Sequence, residues 1–233
     1  MFPVTGYAME AFVGTSGWYY PWNEGLSLDW YLKTSHLNAV ELNASFYRFP
    51  YPNQVLSWAK KGKSLHWSVK VHRFVTHSHR FSGGALEVWE RFRKLFAPLD
   101  PFTDFYLFQA PPSFRNTERV LDFAAGIGLG DRFALEIRNR DLLGDEDACR
   151  ALRERVLLVS VDSPDFAARI FPGDVIYLRL HGRTGWYSHD YRREELGELA
   201  DTIRSYRPGK VYAFFNNDSS MLGNARTMRE LLE

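Results

Sequence analysis

The sequence predicts an α/β protein: a single-domain (β/α)8 barrel of the TIM type. Three observations carry this. Short apolar runs rich in β-branched and aromatic residues recur eight times, at 12–16, 39–43, 67–72, 105–109, 133–138, 157–162, 176–181 and 211–217. Helix-like stretches lie between them, the pattern of parallel βαβ units. The chain has 233 residues, enough for one large barrel and short for two ordinary domains.

The helix-like stretches are 55–61, 86–96, 117–125, 147–155, 165–171, 193–206 and 224–232. Pro164 and Pro172 bracket the fifth, which limits it to one or two turns. Residues 1–10 read as an N-terminal extension against the barrel floor, and 11–233 as the barrel domain. No Gly/Ser-rich linker or shift in composition divides the chain.

Composition narrows the function classes. Hydrophobic residues make up 45% of the chain, enough to fill a core. The net charge of +1, from 29 basic and 28 acidic residues, gives no global attraction to nucleic acid or membrane. A single cysteine, Cys149, excludes an internal disulfide and a thiolate metal cage. No apolar run approaches the roughly 20 residues of a membrane span, and no signal peptide opens the sequence. The expectation is a cytoplasmic protein without a membrane partner; oligomeric state and any cofactor are not readable.

Barrel active sites form at strand C-termini. Side chains alternate along a strand, so residues two apart share a face. Glu41 with Asn43, Lys70 with His72, Glu136 with Arg138, Ser160 with Asp162, Arg179 with His181, and Phe214 with Asn216 form such pairs, and Gln109 ends the fourth strand. The outer face meets helices, so these polar groups are expected to point into the mouth and to satisfy one another or a ligand.

The motifs Gly14-Thr15-Ser16-Gly17-Trp18, Glu41-Leu42-Asn43 with Phe46-Tyr47-Arg48, and Thr76-His77 resemble those of the YecE-like family. So do Gln109-Ala110-Pro111-Pro112, Glu136-Ile137-Arg138, Arg179-Leu180-His181-Gly182-Arg183 and Asn216-Asn217-Asp218. That family is domain of unknown function 72. The resemblance runs from about residue 12 to the C-terminus and implies a TIM barrel, with no settled chemistry.

Four site readings follow. Glu41 and Glu136 are candidate acid/base carboxylates, as in glycoside hydrolysis, against a scaffolding alternative in which they pair with Lys70, Arg138 or Arg179. Arg179, His181 and Arg183, with Asn216 and Asn217 from the last strand, form a candidate anion site, since barrels often hold phosphate there. The alternative is that Arg179 only neutralises Glu136. His72, His77, His79, His181, Glu41, Glu136 and Asp162 have metal-ligand chemistry but no metal motif, and no metal is assigned. Trp18, Tyr47, Trp186 and Tyr187 belong to aromatic loops that could stack on a ligand or cap the barrel.

The resulting expectation is an enzyme, a hydrolase or isomerase acting on an anionic or phosphate-bearing small molecule. Glu41, Glu136, Lys70 and His181 are its catalytic candidates. Ser16, Trp18, Asn43, Tyr47, His72, Gln109, Arg138, Asp162, Arg179, Arg183, Tyr187, Asn216 and Asn217 are its substrate-binding candidates. A nucleic-acid-binding or -processing protein and a non-catalytic metabolite-binding barrel are the alternatives.

Overall fold

The computed structural model describes residues 8–233. It places nine strands, all parallel, in one sheet: β1 (Glu10–Thr15), β2 (Ala39–Leu42), β3 (His66–Lys70), β4 (Thr103–Gln109), β5 (Phe133–Glu136), β6 (Leu157–Leu158), β7 (Ser160–Asp162), β8 (Val175–Leu180) and β9 (Lys210–Phe215). Their order is β6-β5-β4-β3-β2-β1-β9-β8-β7. The expected sixth strand is thus two short ones separated by Val159 alone. Its first half pairs with β5 and its second with β8, while the Val159 N–H donates to Leu135 O at 2.8 Å. One interrupted stave therefore closes the ring. Of the lead-in at 1–10, residues 1–7 lie outside the described residues; Glu10 already belongs to β1, opposite Lys210 of β9.

Helices α1 (Leu28–Thr34), α3 (Pro52–Lys61), α4 (Gly83–Phe96), α5 (Thr117–Ile127), α7 (Glu146–Arg153), α8 (Arg193–Ser205) and α9 (Met221–Leu232) supply the outer layer. Short helices α2 (Ala44–Tyr47) and α6 (Arg140–Gly144) follow β2 and β5. The sequence pattern missed α1, which starts at Ser27, whose hydroxyl accepts from the Trp30 N–H. The helix expected at 165–171 does not form. A turn takes its place, held by an antiparallel bridge between Val161 and Arg169. None of the helices among the described residues is long and apolar enough to cross a membrane.

Aromatic rings fill both the barrel and the layer around it. Phe12, His66, Phe105 and Tyr212 stack across the floor, and Tyr177 meets Phe105 and Phe214 above them. Outside, Trp89 of α4 lies edge-on to Tyr106, and Phe108 stacks on Phe133 at 4.1 Å. A fully buried ring of this kind contributes roughly 1.5–3 kcal/mol over an exposed one. Polar side chains are left for the top of the barrel.

Closure between β1 and β2 depends on Gly14. A Cβ built there would lie 2.2 Å from the Ala39 carbonyl oxygen and 2.6 Å from its carbon, both backbone atoms. The strands can admit a methyl group only by separating. Gly14→Ala is therefore expected to lower the stability by about 2–3 kcal/mol, read from denaturant midpoints at an unchanged slope. Unchanged stability would show that the two strands can part at no cost.

Candidate active site

Strand ends deliver Ser16, Glu41, Lys70, Gln109, Glu136, Arg138, Arg179, His181 and Asn216 to the mouth. Arg179, wholly buried, stands at the centre. Its Nε and Nη2 donate to Glu41 at 2.9 and 2.6 Å, and its Nη1 donates to Glu136. One guanidinium thus bridges both carboxylates. Glu41 also accepts from Ser16 Oγ at 2.9 Å and from Tyr177 Oη at 2.6 Å. With the phenol proton so used, the Ser68 hydroxyl, 2.7 Å away, donates to the Tyr177 oxygen. Tyr177 is a member that strand reasoning overlooked. It lies two residues before Arg179 and shares its inward face.

Glu136 faces Arg138 Nε at 2.6 Å as an ion pair and His181 Nε2 at 3.0 Å. Burial alone would raise the pKa of Glu136. The charges of Arg138 and Arg179 outweigh it and hold the carboxyl well below its usual range. Burial and the same two guanidinium groups push His181 down to about 3, so it is neutral at physiological pH. Asn216 Nδ2 lies 3.3 Å from its Nδ1, and its Nε2 faces both Glu136 Oε1 at 3.0 Å and Arg138 Nη2 at 3.1 Å.

Lys70 differs from these. It is buried, donates to Gln109 Oε1 at 2.7 Å, and holds its ammonium 4.2 Å from the centre of the Phe46 ring. No carboxylate touches it. Burial and then the charge of Arg179 lower its pKa to about 7, with Glu136 and Glu41 only partly opposing them. The amine is accordingly poised between its charged and neutral forms near neutral pH. His77 packs edge-on against the other side of Phe46, at 5.1 Å. Burial and then Lys70 lower its pKa to about 4.

The loop after β8 folds back over His181. Gly182, at φ +103°, permits the turn, since a Cβ there would meet Gly185 O at 2.6 Å. Trp186 and Tyr187 then lie 5.4 and 5.7 Å from the imidazole ring. Trp186 also carries Arg138 on its face at 4.5 Å, and Arg138 Nη1 donates to Tyr187 Oη at 3.4 Å. Asn43 precedes α2 and keeps a buried, unpartnered Oδ1, while Tyr47 stands exposed on the rim.

Several expected binding residues lie elsewhere. The β7–β8 register sets Val161 beside Arg179 and Asp162 beside Leu180, so Asp162 faces away from the barrel axis. There it accepts from the Ala168 N–H at 2.6 Å and from Arg183 Nε at 3.0 Å. Arg183, bound to Asp162 and 3.7 Å from Glu195, is also outside the mouth. Asn217, one residue past the inward Asn216, donates to His189 O and Asn224 Oδ1. Trp18 is buried edge-on against Trp58 and Trp67. His72 is sealed between Phe49 and Phe74. The anion site expected on Arg179, Arg183 and the Gly182 N–H is not assembled: Arg179 is held by two carboxylates, Arg183 by Asp162, and the Gly182 N–H by Tyr191 Oη at 3.0 Å.

Among the described residues, no three His, Cys, Asp or Glu side chains converge as a metal-binding group. A cavity of about 610 Å³ lies at the opposite end, between the N-termini of β4, β6, β8 and β9. None of its charged lining residues is buried.

A family match described as protein of unknown function DUF72 covers residues 12–233. The chain belongs to the DUF72 family. Its fold is similar to a DUF72 protein of Enterococcus faecalis V583, at 19% identity and TM-score 0.80 over 95% of each chain. A DUF72 protein of Thermotoga maritima MSB8 is 25% identical, at TM-score 0.78 over 96% of this chain and 99% of that one. A D-psicose 3-epimerase shares the fold at 10% identity and TM-score 0.50, over 97% and 96% of the two chains. No curated protein matches this DUF72 chain.

The depressed imidazole has a measurable consequence. Unfolded, His181 takes up a proton below its ordinary pKa of 6.5; folded, it does not until about pH 3. The unfolded state thus binds more protons in that window, and stability falls as pH drops through it. Glu136, kept charged in the fold, adds acid sensitivity of the same sign as pH falls below its ordinary 4.5. His181→Gln should lose stability less steeply between pH 6.5 and 4.5, measured by urea unfolding. An equal slope in both proteins would mean that His181 charges freely in the fold.

Proposed function

We propose that this DUF72 protein is an enzyme that moves a proton on a small anionic carbonyl compound held in the mouth, with Lys70 as the acid/base group. The observation that carries this reading is the Lys70 amine, buried at the end of β3 with its pKa lowered to about 7 and no carboxylate partner. A general base works best when its pKa is near the working pH. The neutral amine takes the proton from a hydroxyl-bearing carbon beside the carbonyl, giving an enediolate. The hydroxyl proton passes to the former carbonyl oxygen while the ammonium returns its proton to the former carbonyl carbon. The two carbons thus exchange carbonyl and hydroxyl, and the product is an isomer. Arg138, just past the end of β5, would meet the negative charge that develops on the carbonyl oxygen.

Isomerisation is favoured over hydrolysis by the state of the two glutamates. Both carboxylates are engaged by Arg179, and Glu136 is held charged well below its ordinary pKa. A hydrolytic pair needs one protonated acid and one carboxylate free to activate water or attack. In this reading Glu41 and Glu136 hold the cations in place. The likeness to an epimerase is one of fold alone.

An anionic substrate is supported by the charges. Lys70, Arg138 and Arg179 share the mouth with two carboxylates, Glu41 and Glu136, so one positive charge is left over whenever Lys70 is protonated. Arg138 also borders a cavity of about 450 Å³ whose other charged lining residues are Arg115 and Arg140, paired with Asp141 and Asp165. The test is a panel of ketose phosphates, 2-oxo acids and neutral sugars, read by thermal shift and by proton exchange into D2O. Phosphate- or carboxylate-bearing carbonyl compounds should raise Tm and exchange the proton beside the carbonyl. Arg138→Gln should weaken their binding about tenfold or more, the loss of one charged hydrogen-bonding partner. Stabilisation by neutral sugars alone, or exchange at full rate in a Lys70→Met protein, would refute the reading.

A further inference from the structure

Between Glu41 and Glu87 the chain has no acid. The 45 residues at 42–86 hold seven Lys and Arg and four His, in a protein where about one residue in eight is Asp or Glu. This stretch forms α2, α3, β3 and the turn into α4, so it builds the mouth rim above β2 and β3. Arg48, Arg73 and Arg80 stand exposed on that rim. Among the described residues Arg48 and Arg73 make no ion pair, and Arg80 meets only the Ser113 hydroxyl, at 3.4 Å. Most other rim arginines are neutralised: Arg115 by Asp141, Arg138 by Glu136, Arg140 by Asp165 and Arg183 by Asp162.

Aromatic rings accompany the free cations. Tyr47, Tyr51 and Phe74 are 68%, 76% and 49% exposed. They belong to two interlocked loops rather than to scattered positions. Tyr47 lies 5.0 Å from Phe46, which lies 5.1 Å from His77 in the other loop. Phe49 lies 4.7 Å from His72, which lies 4.6 Å from Phe74. Tyr47 and Phe74 are therefore held by packing and present their free faces at small entropic cost, with Tyr51 beside them at the start of α3. A five-residue π-helical turn, Phe74–Ser78, supports the second loop, and such turns concentrate at functional sites. His77 feels Lys70, Arg73, Arg138 and Arg80 together, which shows these cations to share one field.

From this juxtaposition of exposed rings and unneutralised guanidinium groups we infer that the rim over β2 and β3 is a platform for single-stranded nucleic acid. Arg48, Arg73 and Arg80 would meet backbone phosphates, and Tyr47, Tyr51 and Phe74 would stack on bases. A phosphate polymer without bases would leave the rings unused. A duplex would keep its bases stacked on one another and out of their reach. The inference does not depend on Lys70 chemistry, because its residues lie outside the Glu41–Arg179–Glu136 network.

Fluorescence anisotropy with a labelled twelve-nucleotide thymidine oligomer tests it, with inorganic polyphosphate of equal charge as competitor. Binding is expected at 50 mM salt and should weaken as salt rises, with a logarithmic slope of about −2 for three phosphate contacts. The Arg48→Ala/Arg73→Ala/Arg80→Ala protein should lose most of that slope and at least tenfold in affinity. Tyr47→Ala/Tyr51→Ala should lose about tenfold toward the oligomer and nothing toward polyphosphate. These side chains are exposed, so folding is expected to survive, with Tm as the control. Absence of binding at 50 mM salt overturns the inference. So does polyphosphate competing as well as unlabelled oligomer while the tyrosine variant binds normally, which would mark the rim as a plain anion-attracting surface.

Discussion

Replacing Arg179 with Met is expected to leave a chain that does not stay folded at 37 °C. The guanidinium is the shared partner of two buried carboxylates, so its loss strands Glu41 and Glu136 in the barrel together. Removing one partner of a buried pair costs about 3–5 kcal/mol, chiefly through the uncompensated charge left behind. A domain holds only about 5–15 kcal/mol in reserve. Arg179→Lys keeps the charge but not the planar fork that reaches both carboxylates, so it should fall between the parent and Arg179→Met. The control is Glu41→Gln/Glu136→Gln/Arg179→Met, which removes all three charges at similar volume. It should recover most of the lost stability, because a buried ion cluster and its neutral counterpart are often similarly stable. If Arg179→Met melts within about 3 °C of the parent, the Arg179 guanidinium does not hold the two buried carboxylates in the fold.

The second large effect concerns Lys70. Lys70→Met is expected to abolish turnover, a loss of about 10²–10⁴-fold if the amine transfers the proton. It is also expected to make the protein more stable at pH 6. In the fold the amine releases its proton at about pH 7, against 10.5 for an ordinary lysine. Between those values the unfolded chain holds a proton that the folded one has lost, so stability rises with pH across the window. Below pH 7 the full penalty is present, on the order of 5 kcal/mol by the usual conversion. Lys70→Met should therefore raise Tm by about 10 °C at pH 6 and remove the rise between pH 7 and 10. An active variant refutes the catalytic role; an unchanged slope refutes the buried amine.

Strand parity made much of this arrangement legible. Glu41, Lys70, Glu136, Arg138, Arg179, His181 and Asn216 face the mouth because each has inward neighbours two residues before it. The same reasoning failed at Asp162, and the cause is local. The connection from β7 to β8 is a turn instead of a helix, so its backbone N–H groups lack helical partners and need acceptors on the outward face of β7. Ser160 and Asp162 occupy that face and bind the turn, accepting from the Phe171 and Ala168 N–H groups. A polar residue on a strand is thus inward only where a helix covers the other side. Asn217 sits one residue beyond the inward Asn216 and turns outward by the same alternation, whereas Arg183 follows the turn at Gly182 (φ +103°), where the strand has ended and its parity no longer holds. Sequence also left open whether the two glutamates were acid/base groups or scaffold. That depended on the reach of Arg179, which links strands far apart in the chain.

The direct test of the account is the pKa of the Lys70 amine. It can be followed by NMR in protein carrying ¹³C-labelled lysine, with the Lys70 signal assigned by its loss in Lys70→Met. A titration midpoint near 7 is the predicted result, well below the 10.5 of an ordinary lysine. A midpoint above 10 for Lys70 would contradict the account, since the amine would then be an ordinary cation and could not serve as a base near neutral pH.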